Sequence, residues 1–361
     1  MRILALVTQT LGEEGGIGRF NNNFLTALAE MDKIRSIVVL SRGASAGEKF
    51  PPRVILKKSL KGKIGFIFSA LWTFLTDGPF DLIFCAHINL APLSAFLAKP
   101  AKIPFNILLY GIESWTEPGI FIRWAVKQAS LIIAISRYTR RRFLTWSGVN
   151  PEKVKVLPPT VEEKFQPGPK PQYLLKRHGL VGKKVLLTVS RLSSKERYKG
   201  QDRVIDLIPN LLRKYPNLVY VIAGEGEDRS RLEKMAREKD VEKAIRFIGQ
   251  IEESELVDLY RTADLFVMPS GGEGFGIVFL EAIACGIPVI GGNQDGSMDA
   301  LAEGQLGNAV DISHPASLLT ALMDGLNKTT QPFSPDKFSR NNFSILLQNI
   351  IENIGAPICQ G

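Results

Sequence analysis

Residues 263–282 read ADLFVMPSGGEGFGIVFLEA. The run up to Ser270 is dominated by apolar residues and has the length of a buried strand. Gly271, Gly272, Gly274 and Gly276 then surround Glu273, and IVFLEA continues with helical composition. A strand, a glycine loop and a helix in that order are half of a parallel β-α-β unit. The pattern repeats outward. KVLLTVS (184–190), LVYVIAG (218–224), IRFIG (245–249) and PVIGG (288–292) read as further strands, with helices near 201–214, 228–238, 253–262, 276–285 and 296–303. The first half does the same, with strands RILALVT (2–8), SIVVL (36–40), DLIFCA (81–86), FNILLY (105–110) and LIIAIS (131–136). Its helices fall at 18–31, 62–76, 90–98, 117–129 and 137–146. Between the halves, proline-rich VLPPTVEEKFQPGPKPQY (156–173) reads as a linker. Residues 325–340 look irregular, and NNFSILLQNII (341–351) reads as a closing helix. The fold class is therefore α/β, with two Rossmann-like, doubly wound domains facing across a cleft, at 1–160 and 161–335, and a C-terminal segment at 336–361.

The chain has 361 residues, 45% of them hydrophobic and 22% charged, enough apolar material for two cores. Cys85, Cys285 and Cys359 match no metal-ligand spacing and read as reduced thiols; His87, His178 and His314 are equally scattered. No metal is expected. The apolar run IGFIFSALWTFL (64–75) is too short to span a bilayer, so the expectation is a cytoplasmic protein. Charge is uneven: residues 1–160 carry 21 lysines and arginines against 10 acids, whereas 161–361 carry 24 against 26. A basic first half suits an anionic surface or substrate. KKSLKGKIGFIFSALWTFL (57–75) reads either as a domain helix with a solvated basic lead or as a helix lying on an anionic membrane, and RYTRRRF (137–143) adds four more cations. The basic half contains no recognisable nucleic-acid-reading motif.

In open α/β sheets ligands sit beyond the carboxyl ends of the strands. Several loops at such ends carry chemistry. QTLGEEGGIGRF (9–20) brings Gly16 and Gly18 before a helix, where backbone amides can meet a phosphate. It lacks the third glycine of a dinucleotide fingerprint, and the second strand ends in Leu40-Ser41 without a ribose-binding acid. SRLSSKERYKGQD (190–202) places Arg191 at a strand end and Lys199 just before a helix. The pair reads either as cations for a diphosphate leaving group or as part of a solvated basic loop. In the opening stretch Glu273 lies in the loop and Glu281 about one and a half turns into the helix. At about 1.5 Å of rise per residue, the two are too far apart to flank one glycosidic bond. Glu281 stands in an otherwise apolar helix and must find a polar partner. In the first half, His87 follows a strand end, and Glu113 follows the next strand in YGIESW (110–115).

GGEGFGIVFLEAIACGIPVI resembles the E-x7-E signature of retaining glycosyltransferases of family 4, which have the two-Rossmann GT-B fold. SRLSSKERYKG resembles that family's Arg…Lys-Gly donor-phosphate segment, and GGIGR (15–19) its N-terminal glycine loop. The resemblance implies a retaining hexosyltransferase that moves a sugar from a UDP- or GDP-linked donor to a glycan or lipid-linked acceptor, without a metal, in cell-surface polysaccharide or glycolipid synthesis. Glu273 would contact the donor sugar. The backbone of Phe275, Gly276 and Ile277 would line sugar and diphosphate, and Glu281 would bond the ribose. Arg191 and Lys199 would hold the leaving diphosphate, with an amide from Gly16 beside it. Gln250 and Ile251 would face the base. His87 would stand near the reacting sugar, and Glu113 would serve the acceptor side. The C-terminal helix would cross back onto the first domain. Ser190 stands where glycine is common, and Tyr110-Gly111 where many members have His-Gly. A lipid-linked acceptor also fits a protein peripheral on the inner face of a membrane. Other readings on the same fold are a nucleotide-sugar epimerase, a phosphorylase and a non-catalytic nucleotide-sugar binding protein.

Overall fold

The computed structural model describes residues 1–8, 15–41, 50–328 and 336–352. The chain divides into two compact units. One is Met1–Thr160 together with the residues from Arg340 onward; the other is Val161–Ser339.

The first unit runs β1 (Arg2–Val7), α1 (Gly16–Glu30), β2 (Ser36–Ser41), β3 (Val54–Lys58), α2 (Gly62–Thr76), β4 (Leu82–Cys85), α3 (Ala91–Ala101), β5 (Phe105–Leu109), α4 (Ile120–Gln128), β6 (Leu131–Ala134), α5 (Arg137–Ser147) and β7 (Val154–Val156). The second runs α6 (Gln172–Arg177), β8 (Lys184–Val189), α7 (Gln201–Lys214), β9 (Leu218–Ala223), α8 (Arg229–Glu238), β10 (Ile245–Gly249), α9 (Leu256–Thr262), β11 (Leu265–Met268), α10 (Ile277–Ala284), β12 (Val289–Gly292), α11 (Ser297–Ala300), β13 (Asn308–Val310) and α12 (Pro315–Asn327). The closing helix α13 (Arg340–Glu352) belongs to the first unit.

Both sheets are parallel, ordered β3-β2-β1-β4-β5-β6-β7 and β10-β9-β8-β11-β12-β13. Each order reverses once, between β1 and β4 and between β8 and β11. Right-handed crossovers put helices on opposite faces either side of a reversal. The inner strands read as continuous apolar runs because helices cover both of their faces: Ile3 to Val7, Ile83 to Cys85 and Leu265 to Met268 are all buried. The C-terminal helix is held to its unit through α1. Phe343 packs edge-on against Phe20 at 5.8 Å between ring centres, and Arg340 Nη2 meets Glu30 Oε1 at 2.5 Å.

Several elements carry no periodic signal in the sequence. β3 is a half-exposed edge strand ending in two lysines, and β7 and β13 have three residues each. The expectation of irregular structure over 325–340 is corrected at both ends. α12 runs to Asn327, and its Gly325 lies so close to β11 that a Cβ there would stand 2.9 Å from Leu265; a 3-10 turn follows at Asp336–Phe338. Residues 329–335 lie outside the described residues. The linker reading of 156–173 is likewise shortened, because Val156 ends β7 and Gln172 begins α6. The two described cysteines, Cys85 and Cys285, are buried, and burial pushes their thiols up to about 11 and about 12.

Candidate functional site

The reversal between β8 and β11 puts the loops after these two strands side by side. The loop after β8 carries Arg191 and the 3-10 turn Ser194–Lys199; the loop after β11 carries Gly271 to Gly276. The Gly271 N–H donates to Tyr198 O at 2.9 Å, and the Tyr198 ring covers Gly272, where a Cβ would fall 2.7 Å from the ring. Gly200 has φ +79°, and a Cβ there would stand 2.5 Å from Pro269 O, so only glycine lets the two loops approach this closely.

This approach assembles a charge cluster. Lys199 Nζ lies 3.0 Å from Glu196 Oε2 and 3.9 Å from Glu273 Oε1. The other Glu196 oxygen accepts from the Arg191 guanidinium. Lys199 and Glu273 are mostly covered, with side chains 12% and 16% exposed, whereas Arg191 is 75% exposed. Burial raises the Glu273 carboxyl above the ordinary value, against the opposing pull of Lys199. Two cations and two carboxylates so paired can exchange partners with an incoming anion: a diphosphate can take the place of Glu196 between Arg191 and Lys199.

Glu273 is clamped through its own backbone. Its N–H donates to Asp295 Oδ2 at 2.7 Å, and its carbonyl accepts from Gly296 N at 2.8 Å. Asp295 is 1% exposed and also accepts from Ser270 Oγ at 2.8 Å and Ser297 N at 2.9 Å. Burial raises the Asp295 carboxyl, and these donors oppose the rise. Phe275 is buried against Phe338, and Gly276, at φ +86°, turns the chain into α10, whose first residue is Ile277. Gly276 and Ile277 remain half-buried, so backbone at this helix start stays within reach of a ligand.

Glu281 has a separate environment. It is 1% exposed and accepts from Tyr260 OH at 2.7 Å, which supplies the polar partner its apolar helix demands. Thus the two glutamates do not converge on one another. Ile251 is half-buried and follows Gly249, whose carbonyl accepts from Gly224 N at 2.7 Å. In the first unit Gly16 is exposed at the start of α1; the preceding residues 9–14 of its loop lie outside the described residues. His87 follows β4. Its Nδ1 accepts from Asn89 N at 3.1 Å, which leaves the proton of the neutral ring on Nε2, and burial lowers its pKa. Glu113 Oε1 accepts from Tyr110 N at 2.6 Å, and burial raises its pKa. Among the described residues, no three His, Cys, Asp or Glu side chains come together as metal ligands.

Glu196, Asp295, Ser270 and Tyr198 escaped the sequence reading. Glu196 is one acid in a basic stretch, and Asp295 sits in NQDGS, which looks like any turn. Their roles come from pairing across two loops, a signal no local window contains.

Comparison with known proteins matches each half of the chain to a family model. Residues 174–342 match the family Glycosyl transferases group 1, and residues 14–165 match Glycosyltransferase Family 4. A GDP-mannose-dependent alpha-(1-6)-phosphatidylinositol monomannoside mannosyltransferase of Mycolicibacterium smegmatis is 35% identical over 205 residues, 54% of this chain and 53% of that protein. A D-inositol 3-phosphate glycosyltransferase of Corynebacterium urealyticum is 31% identical over 216 residues, 55% of this chain and 50% of that protein. The chain thus spans about half the length of these curated relatives. In fold it resembles Anabaena HepE crystallised with UDP, at TM-score 0.78 and 19% identity over 98% of this chain and 100% of that one. It also resembles the lipopolysaccharide outer core galactosyltransferase WaaB, at TM-score 0.74 and 17% identity over 98% and 99%. Both units are Rossmann-like, and the fold is GT-B.

Proposed function

From the premise that the chain carries the two domains of a group 1 glycosyltransferase, we propose that it transfers a hexose from a nucleoside-diphosphate sugar to a glycan or lipid-linked acceptor, with retention of anomeric configuration. The observation that carries the reading is Lys199 Nζ held between Glu196 and Glu273 on touching glycine loops, with Arg191 on the same Glu196. Among its relatives, the mannosyltransferase is named as GDP-mannose-dependent and HepE was crystallised with UDP, so UDP and GDP are the donor bases to test.

The chemistry follows from the charges. As the glycosidic bond to the diphosphate breaks, negative charge grows on the leaving oxygen. Arg191 and Lys199 stabilise that charge once it displaces Glu196, and this electrostatic help is the main catalytic contribution of the protein. Glu273, fixed by Asp295 and Gly296, orients the sugar hydroxyls. Amides at Gly276 and Ile277 line the donor, Gly16 offers a further amide, Ile251 borders the base, and Glu281 bonds the ribose after rearranging from Tyr260. His87 and Glu113 act on the acceptor side, His87 through its Nε2–H. No metal enters this scheme, because two cations fill that role.

Thermal-shift titration with UDP, GDP, ADP and their hexose conjugates tests it. A ligand at a hundred times its dissociation constant adds about 2.7 kcal/mol of stability, a shift of several degrees. One nucleotide series should stabilise the parent chain and fail to stabilise Lys199→Ala. A flat response to every nucleotide overturns the proposal. Release of nucleotide from donor at full rate without acceptor points to an epimerase instead.

A further inference from the structure

We infer that the outer face of α2, continued by α3 and α4, docks onto an anionic phospholipid surface. The stretch 64–76 of α2, IGFIFSALWTFLT, contains no charged residue. Phe66, Ala70 and Thr73 face the core and are buried. The opposite side should then be polar in an ordinary surface helix. It holds Ile64, Phe68, Trp72 and Leu75 instead, 71%, 62%, 70% and 77% exposed. α3 packs against α2, and α4 against α3, on the same face of the sheet. α3 adds exposed Phe96, and α4 adds exposed Ile120, Phe121 and Trp124. An apolar area of this extent marks an interaction surface.

Charge selects the occupant. Lys58 and Lys61 lead into α2, Lys63 stands in its first turn, and Lys99 Nζ stands 5.7 Å from the centre of the Trp124 ring. The nearby acids are neutralised: Asp77 pairs with Lys57 at 2.5 Å and Glu117 with Arg123 at 2.5 Å. A basic rim around aromatic and aliphatic side chains matches anionic headgroups above acyl chains. No helix among the described residues is long and apolar enough to cross a membrane, so the contact is one of lying on the surface. The inference stands on this face alone and does not require the proposed transfer.

Vesicle flotation of the full chain tests it, with phosphatidylcholine alone and with phosphatidylglycerol added. The parent should float only with the anionic vesicles, and salt should weaken the binding. Phe68→Asp combined with Trp72→Asp should lower binding at least about tenfold, with an unchanged circular-dichroism melt. Ile120→Ser with Phe121→Ser is the second variant, should the first melt early. The inference is overturned if the parent floats with neither vesicle, or if well-folded variants of both kinds float as the parent does. A parent dimer in light scattering that these variants dissolve, without vesicle binding, also overturns it in favour of self-association.

Discussion

The two units share one strand order through six strands and use it differently. At the reversal of the second unit, Arg191, Glu196, Lys199 and Glu273 meet on loops whose glycines permit backbone contact. After β4 and β5 of the first, the described titratable groups are bonded within the unit: His87 accepts from Asn89 N, Glu113 accepts from Tyr110 N, and Tyr110 OH donates to Asn21. The first unit instead carries its unusual feature on an outer helix face. One topology thus supports a charged cluster where the loops after β8 and β11 are pressed together, and groups bonded within their own unit after β4 and β5.

The largest effect should come from the charge cluster. Lys199→Ala or Arg191→Ala should cut turnover at least about a hundredfold, the usual cost of losing one well-placed donor to developing charge, ~3–4 kcal/mol. Steady-state kinetics with the stabilising donor reads it, and near-normal kcat in either variant would sink the assignment. Lys102→Ala, in the first unit, should leave kcat unchanged.

Next is the clamp on Glu273. A Cβ on Gly296 would stand 2.2 Å from Gly274 O, so Gly296→Ala must push the loop. A displacement of this kind costs about tenfold to a hundredfold in kcat/KM. Gly119→Ala, where nothing lies within 4 Å of the new Cβ, should be kinetically neutral. Equal kinetics in the two variants would break the contrast between the units.

A smaller effect concerns stability. Tyr260→Phe leaves Glu281 buried without its 2.7 Å donor and should lower unfolding free energy by about 1–3 kcal/mol in urea titration. A midpoint unchanged within error would show that Glu281 does not depend on that bond.

The smallest effects are pH-dependent and of opposite sign in the two units. Glu227 is held by Ser193 Oγ and the Ser194 N–H and hydroxyl; with backbone bonds first among the causes, its carboxyl falls from 4.5 to about 2. Its contribution is therefore present above pH 4.5 and lost as pH falls toward 2. Burial raises Glu113 above 4.5, so its contribution is full below that value and lost as pH rises through the folded-state value. In melting curves against pH, Glu227→Gln should flatten the acid limb, and Glu113→Gln should remove a loss that accompanies rising pH. Parallel shifts of the whole curve would contradict both assignments.

Much of the fold was legible because its strands are buried on both faces. Helices α2, α5 and α7 fall within a residue of the expected 62–76, 137–146 and 201–214. β3, β7 and β13 were not, since edge strands and three-residue strands lack an apolar run. In the candidate site, Arg191, Lys199, Glu273 and Glu281 could be singled out from glycine spacing and strand ends. Glu196, Asp295 and Tyr260 could not, because nothing in their neighbourhoods marks them.

By itself the amino-acid sequence determined two parallel α/β halves, the strand ends that carry loops, and the demand of Glu281 for a polar partner. Those properties depend on periodicity and burial along the chain. Tertiary structure decided which charges meet. Lys199 and Glu273 are 74 residues apart, and they come within 3.9 Å because β8 and β11 pair at the reversal of the sheet. Likewise, only packing revealed that α2 turns Phe68 and Trp72 away from the core while burying Phe66, since a helix apolar on every side gives no clue which side is covered.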